Sequence, residues 1–181
     1  MIDIRDYNSA LFDDAVAIFT KLSAYYLGDN ASDSDTVASN LTHNILGGDS
    51  ATKLALAYYN GSVCALAAYV IMYPATKETG QLFLKELFVD QDYARKGVGD
   101  KMMSYLAKKA IEKNCSRFDW TANEDSTAAA SFYKKLQAPI MEKKQYYRLS
   151  REDLQRVASH HYPEGTPTQA TPESLKLVES R

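Results

Sequence analysis

Cysteine and histidine are scarce in this chain: two and three in 181 residues. Cys64 and Cys115 each stand alone in apolar or amphipathic segments, and His160-His161 lies far from any cysteine or carboxylate cluster. That spacing offers neither a disulfide framework nor a metal-ligand set, so we expect reduced, buried thiols and no metal. No apolar run approaches the ~20 residues that a membrane span requires. The opening MIDIRDYNSALFDD lacks the charged-then-apolar form of a signal peptide. Basic charge is also lacking, with 21 Lys and Arg against 23 Asp and Glu for a net charge of −2. A protein that coats nucleic acid is usually basic over at least one face. These absences lead us to expect a cytoplasmic protein with no nucleic-acid or membrane partner. Its 45% hydrophobic content suffices for one globular core.

Glycine and proline are few, eight and five, so each one punctuates the chain. Met1–Arg5 fits an edge strand. Val16, Phe19, Leu22 and Tyr26 fall at helical spacing and Gly28 closes that helix. Asp33 offers the N-cap of a second helix through Val37, Leu41 and Ile45, ended by Gly47-Gly48. Two strands follow, Lys53–Tyr59 and Ser62–Tyr73, joined by Asn60-Gly61, a hairpin dipeptide because both residues tolerate positive φ. Pro74 stops the second, and Gln81–Val89 is a third. From Val98 the period changes to helical, with Met102, Met103, Leu106 and Ala110 on one stripe. A strand at Arg117–Ala122, a helix at Ser126–Leu136 and a last strand at Lys144–Leu149 complete the pattern. The order predicts an α/β or α+β fold around a mixed sheet. Residues 1–150 form the expected domain. Residues 151–181 form an appendage: a helical turn or two, a Thr- and Pro-rich linker, and either a final short helix or a loosely held tail.

One segment carries chemistry. The strand ending Leu87-Phe88-Val89 passes through a polar turn into Ala94-Arg95-Lys96-Gly97-Val98-Gly99-Asp100, and a helix starts at once. A glycine-bearing basic loop at a helix N-terminus presents backbone N–H groups and the positive end of the helix dipole to an anion. A dinucleotide fingerprint would need a third glycine near Met102, and a Walker loop would need Gly-Lys-Ser/Thr after Gly97; both are missing.

With its neighbours the segment resembles the GNAT superfamily of acyl-CoA-dependent N-acyltransferases, over roughly Asp3 to Ser150 and most strongly from Leu84 to Ala138. The matching elements are Leu87-Phe88-Val89, Asp92-Tyr93 and the Gly97-Val98-Gly99 loop, then Asn123, Phe132-Tyr133 and Leu136-Gln137-Ala138. Ala94 departs from the family's Arg or Gln, and Gln137 from its Gly. The resemblance implies a twisted mixed sheet flanked by helices, acetyl-CoA as cosubstrate, and frequent homodimers by analogy. It implies that the loop from Ala94 to Asp100 holds the diphosphate. The backbone of Phe88 and Val89, beside Leu87, would pair with the pantetheine arm, and Asn123 would bond the same arm or cap the next helix.

Acyl transfer to an amine needs a proton removed: at a pKa of about 10, freeing the lone pair at neutral pH costs about 4–5 kcal/mol. Glu86 is the candidate base, or else a strand carboxylate paired with a cation such as Lys85. Tyr133 is the candidate acid for the departing thiolate, or else a packed aromatic. In the family the first two helices and their loop shape the acceptor pocket; Tyr25, Tyr26 and Asp29, with Asp33 and Asp35 nearby, would suit a cationic amine. The alternative for these acids is helix caps and solvated turns. The implied activity is transfer of an acetyl group to a small primary amine by direct attack through a tetrahedral intermediate. A protein lysine or N-terminal acetyltransferase, and a degenerate acyl-CoA sensor, are the competing readings.

Overall fold

A computed structural model describes residues 1–159, so the Thr- and Pro-rich linker, the expected final helix or tail and His160-His161 lie outside the described residues. The chain divides into two compact units, Met1–Asp125 and Ser126–Arg181.

The first unit is a five-stranded open sheet in the order β1 (Ile2–Asp6), β2 (Lys53–Tyr59), β3 (Ser62–Met72), β4 (Gly80–Val89), β5 (Cys115–Trp120). Neighbours are antiparallel except β4 and β5, which are parallel. Helix α1 (Phe12–Leu27) and helix α2 (Ser34–Asn40) precede the hairpin, and α3 (Val98–Glu112) connects β4 to β5. The hairpin forms where Asn60-Gly61 predicts it: Tyr59 pairs with Ser62, and the two turn residues have φ of 51° and 91°. Asp33 caps α2 by accepting the Thr36 N–H at 2.8 Å, and the helix then relaxes into a π-helical turn over Leu41–Ile45.

Alternation along the strands separates two faces. Leu54, Leu56, Tyr58, Leu66 and Ala68 pack with Ala15, Ile18 and Leu22 of α1 and with Val37 and Leu41. The intervening residues Ala55, Ala57, Ala65 and Ala67 are small and buried, so the other face can take α3 closely. That helix buries the predicted stripe of Val98, Met102, Met103, Leu106 and Ala110. In α1 the expected stripe is shifted. Ala15, Ile18 and Leu22 are buried, Val16 and Phe19 flank them, and Tyr26 faces out.

The cysteine expectation holds for Cys64, which is buried, with its thiol pushed up to about 11 by desolvation and the nearby Asp90 charge. Cys115 is only half-buried.

The second unit contains α4 (Thr127–Lys135) and α5 (Arg151–Ala158) among its described residues. Ser150 and Asp153 close a reciprocal capping box on α5. The expected strand at Lys144–Leu149 is corrected: the segment is irregular, and residues 141–149 are all exposed. An alternating strand needs one half-buried face, and neither Tyr146 nor Tyr147 finds one.

Candidate active site

The site begins with a fault in β4. Ala68 stands opposite Glu86 while Tyr69 stands opposite Leu84, so Lys85 is an extra residue, a β-bulge. The bulge reverses the alternation. Leu82 and Leu84 share a face with Tyr69; Glu86, Phe88 and Asp90 turn to the face covered by α1. Three residues of α1 meet them. The Tyr26 hydroxyl donates to Glu86 Oε1 and Oε2 at 3.1 and 3.3 Å. The Tyr25 ring lies 5.8 Å from Phe88 and 5.2 Å from Tyr26. The Lys21 ammonium pairs with the Asp90 carboxylate.

Glu86 is half-buried, and that desolvation raises its carboxyl above the ordinary range. The Tyr26 hydroxyl and the Lys85 charge oppose the rise without cancelling it. A carboxylate so placed is a better proton acceptor than a solvated one. Tyr25 and Tyr26 are each 58% exposed, so two ring faces and a carboxylate border one surface. Asp29 lies in the exposed turn directly after α1.

The same bulged strand opens an edge. β4 pairs with β5 only from Gly80 to Leu84, while its pairing with β3 continues to Val89. The Asp90 N–H donates to Cys64 O on β3 at 2.9 Å. By alternation the main-chain groups of Phe88 also point to β3, and those of Leu87 and Val89 point to the open edge. Phe88 thus turns its main chain to β3 and its ring into the core, and the open edge is that of Leu87 and Val89, with the Leu87 N–H bonded to the Glu86 carboxylate.

Beyond Val89 the chain makes one tight turn, Gln91–Tyr93, whose N-cap Asp90 accepts the Asp92 N–H at 3.2 Å. The loop then enters α3 through Gly97 at φ 80°. The Lys96 N–H reaches Tyr93 O at 3.4 Å, and the Lys101 N–H closes on Gly97 O at 3.1 Å. The N–H groups of Val98 and Gly99 come before the first full helical bond, and Gly97 has no side chain to cap them. A Cβ on Gly97 would meet nothing within 4 Å. The Lys96 ammonium stands 5.0 and 5.2 Å over the rings of Tyr93 and Tyr59, which holds a cation beside the loop. This donor cradle fits a diphosphate.

Arg95 has φ 59°, the left-handed region that favours glycine. Arg95→Gly should relieve about 1 kcal/mol of strain, raising Tm in a thermal melt by about 2–4 °C.

Tyr133 lies on α4 in the second unit, half-buried, its ring 5.2 Å from Phe132. Asn123 is exposed in the segment after β5. No group of three or more His, Cys, Asp or Glu among the described residues could hold a metal ion. No described helix is long and apolar enough to cross a membrane. Sequence reasoning missed Lys21, Asp90 and the bulge. The spacing of Glu86, Phe88 and Asp90 on alternate residues was the available signal.

Comparison with known proteins gives the family and the fold. The model of the acetyltransferase (GNAT) family matches residues 15–137. An integron cassette protein from the mobile metagenome of Vibrio cholerae, VCH_CASS6, is 36% identical with a TM-score of 0.82, over 87% of this chain and 97% of that one. An aminoglycoside acetyltransferase from an uncultured soil sample, meta-AAC0020, solved with sisomicin, shares the fold at 17% identity and a TM-score of 0.65, over 82% and 97%. Arabidopsis thaliana L-ornithine N5-acetyltransferase NATA1 is 25% identical over 85 residues, 47% of this chain and 37% of that protein. The chain thus aligns with little more than a third of that curated relative. Sheet, loop and matched residues together establish that the chain belongs to the GNAT family of acetyltransferases.

Proposed function

We propose that the chain transfers an acetyl group from acetyl-CoA to the primary amine of a small cationic molecule, with residues 1–150 as the catalytic domain. The observation that carries this reading is the departure of β4 from β5 after Leu84, on a strand that runs directly into the Gly97 helix start. An extended pantetheine arm would add to the open edge at Leu87 and Val89, with its diphosphate on the α3 N-terminus. Acetyl-CoA supplies the activated carbonyl. The Val89 N–H on the open edge donates to the oxygen that becomes an oxyanion during attack. Glu86, directly or through water, takes the proton from the ammonium that the acceptor brings. The exposed rings of Tyr25 and Tyr26 beside Glu86 favour an organic cation, and Asp29 adds charge of the right sign. The names of two relatives point the same way, one an ornithine acetyltransferase and one solved with an aminoglycoside.

The family resemblance, on the residues Phe132-Tyr133, gives Tyr133 the proton donated to the thiolate sulfur as the C–S bond breaks; the second proton shed by the attacking nitrogen passes to solvent, which also restores the phenol. Tyr133→Phe should lower kcat about 100-fold while CoA affinity in calorimetry stays within about twofold of wild type. The direct test of the activity is thiol release from acetyl-CoA with polyamines, basic amino acids, amino sugars and a neutral amine as control. Turnover confined to the cations supports the reading. Tight CoA binding without turnover on any amine would favour an acyl-CoA sensor.

A further inference from the structure

Asp90 is buried at 7% exposure, the one charged residue so deeply placed among those described. All its polar atoms are used. Its N–H donates to Cys64 O, and its carbonyl accepts the Tyr93 N–H at 2.8 Å. One carboxylate oxygen accepts the Asp92 N–H and the other takes the Lys21 ammonium. The phosphate loop begins four residues later. Lys21 lies on α1 one turn before Tyr25 and Tyr26, the residues that grip Phe88 and Glu86. Helix α1 therefore holds two alternate residues of β4, Glu86 and Phe88, and Asp90 just beyond its end, at the root of the loop.

We propose that Lys21 and Asp90 are positioning residues for the diphosphate: their ion pair fixes where the loop leaves β4, and so where the amides of Val98 and Gly99 point. The idea rests on the reading that this loop holds the diphosphate of acetyl-CoA. Without Lys21 the Asp90 carboxylate stays buried with a single N–H partner, and it can recover solvation only by moving outward. Such a movement carries the Gln91–Tyr93 turn and the loop with it. Both the Lys21 side chain, about half exposed, and its raised pKa, caused first by the bond to Asp90, fit a surface strut more than a core residue.

Lys21→Met keeps the aliphatic stem of a half-exposed side chain and removes the ammonium that Asp90 faces; a thermal melt of the variant confirms that it is folded before binding is read. Calorimetry should show CoA binding weakened about tenfold. Kinetics should show a matching rise in KM for acetyl-CoA, with kcat within about twofold. S-acetyl-pantetheine, which lacks the diphosphate, should react with unchanged kcat/KM, and Lys21→Arg should restore CoA affinity. CoA affinity in Lys21→Met within twofold of wild type, or an equal loss with S-acetyl-pantetheine, would overturn the proposal. Failure of the underlying reading looks different: the wild-type chain itself would then bind CoA no more tightly than it binds pantetheine.

Discussion

Glu86→Gln should reduce kcat about 10²–10³-fold and leave CoA affinity within about twofold of wild type. The magnitude is that of general base catalysis by a positioned side chain. Glutamine keeps the shape of the side chain and an oxygen for the Tyr26 hydroxyl, so the loss reports the missing base and not a collapsed pocket. The pH profile gives the sign independently. Burial raises the Glu86 carboxyl, and the base must be ionised to accept a proton. Wild-type kcat/KM should therefore rise with pH through a midpoint above the ordinary carboxylate range, and fall away below it. That limb should vanish in Glu86→Gln. Steady-state rates at saturating acetyl-CoA from acid to neutral pH measure both effects; an unchanged rate and limb would transfer the base role to another group.

Gly97→Asp should weaken CoA binding about a hundredfold while costing little stability. The positive φ of Gly97 penalises a side chain by about 1 kcal/mol, and the space for a Cβ is open. A carboxylate there caps the donors at the start of α3 and repels a diphosphate. Losing one charge-assisted hydrogen bond of about 1.5–3 kcal/mol, together with repulsion, corresponds to roughly a hundredfold in affinity. Calorimetry and a thermal melt on one sample separate the two quantities. A large fall in Tm with affinity preserved would contradict the assignment of the loop.

The elements most legible in the sequence were those fixed by local chemistry. Asn60-Gly61 placed the hairpin because few other residues accept two positive φ angles. The four-residue spacing of Val98, Met102, Leu106 and Ala110 placed α3 because a helix has no other way to bury that stripe. Gly97 marked the loop for the same reason. What stayed hidden depends on pairing between distant strands. Nothing local to Lys85 announces a bulge, yet the bulge decides that Glu86 faces α1 while Leu84 does not. The ion pair of Lys21 with Asp90 joins residues far apart in the chain, and neither one alone differs from an ordinary surface charge. The strand expected at Lys144–Leu149 had β-forming tyrosines but no buried face, and the presence of a covering face is not written in the local sequence.

The most direct measurement is a crystal structure with CoA bound. The account predicts the diphosphate within hydrogen-bond distance of the main-chain N–H groups at Val98 and Gly99, the pantetheine arm alongside Leu87 and Val89, and the sulfur next to the Glu86 face. A diphosphate bound elsewhere on the chain, or an arm lying off the β4 edge, would contradict it.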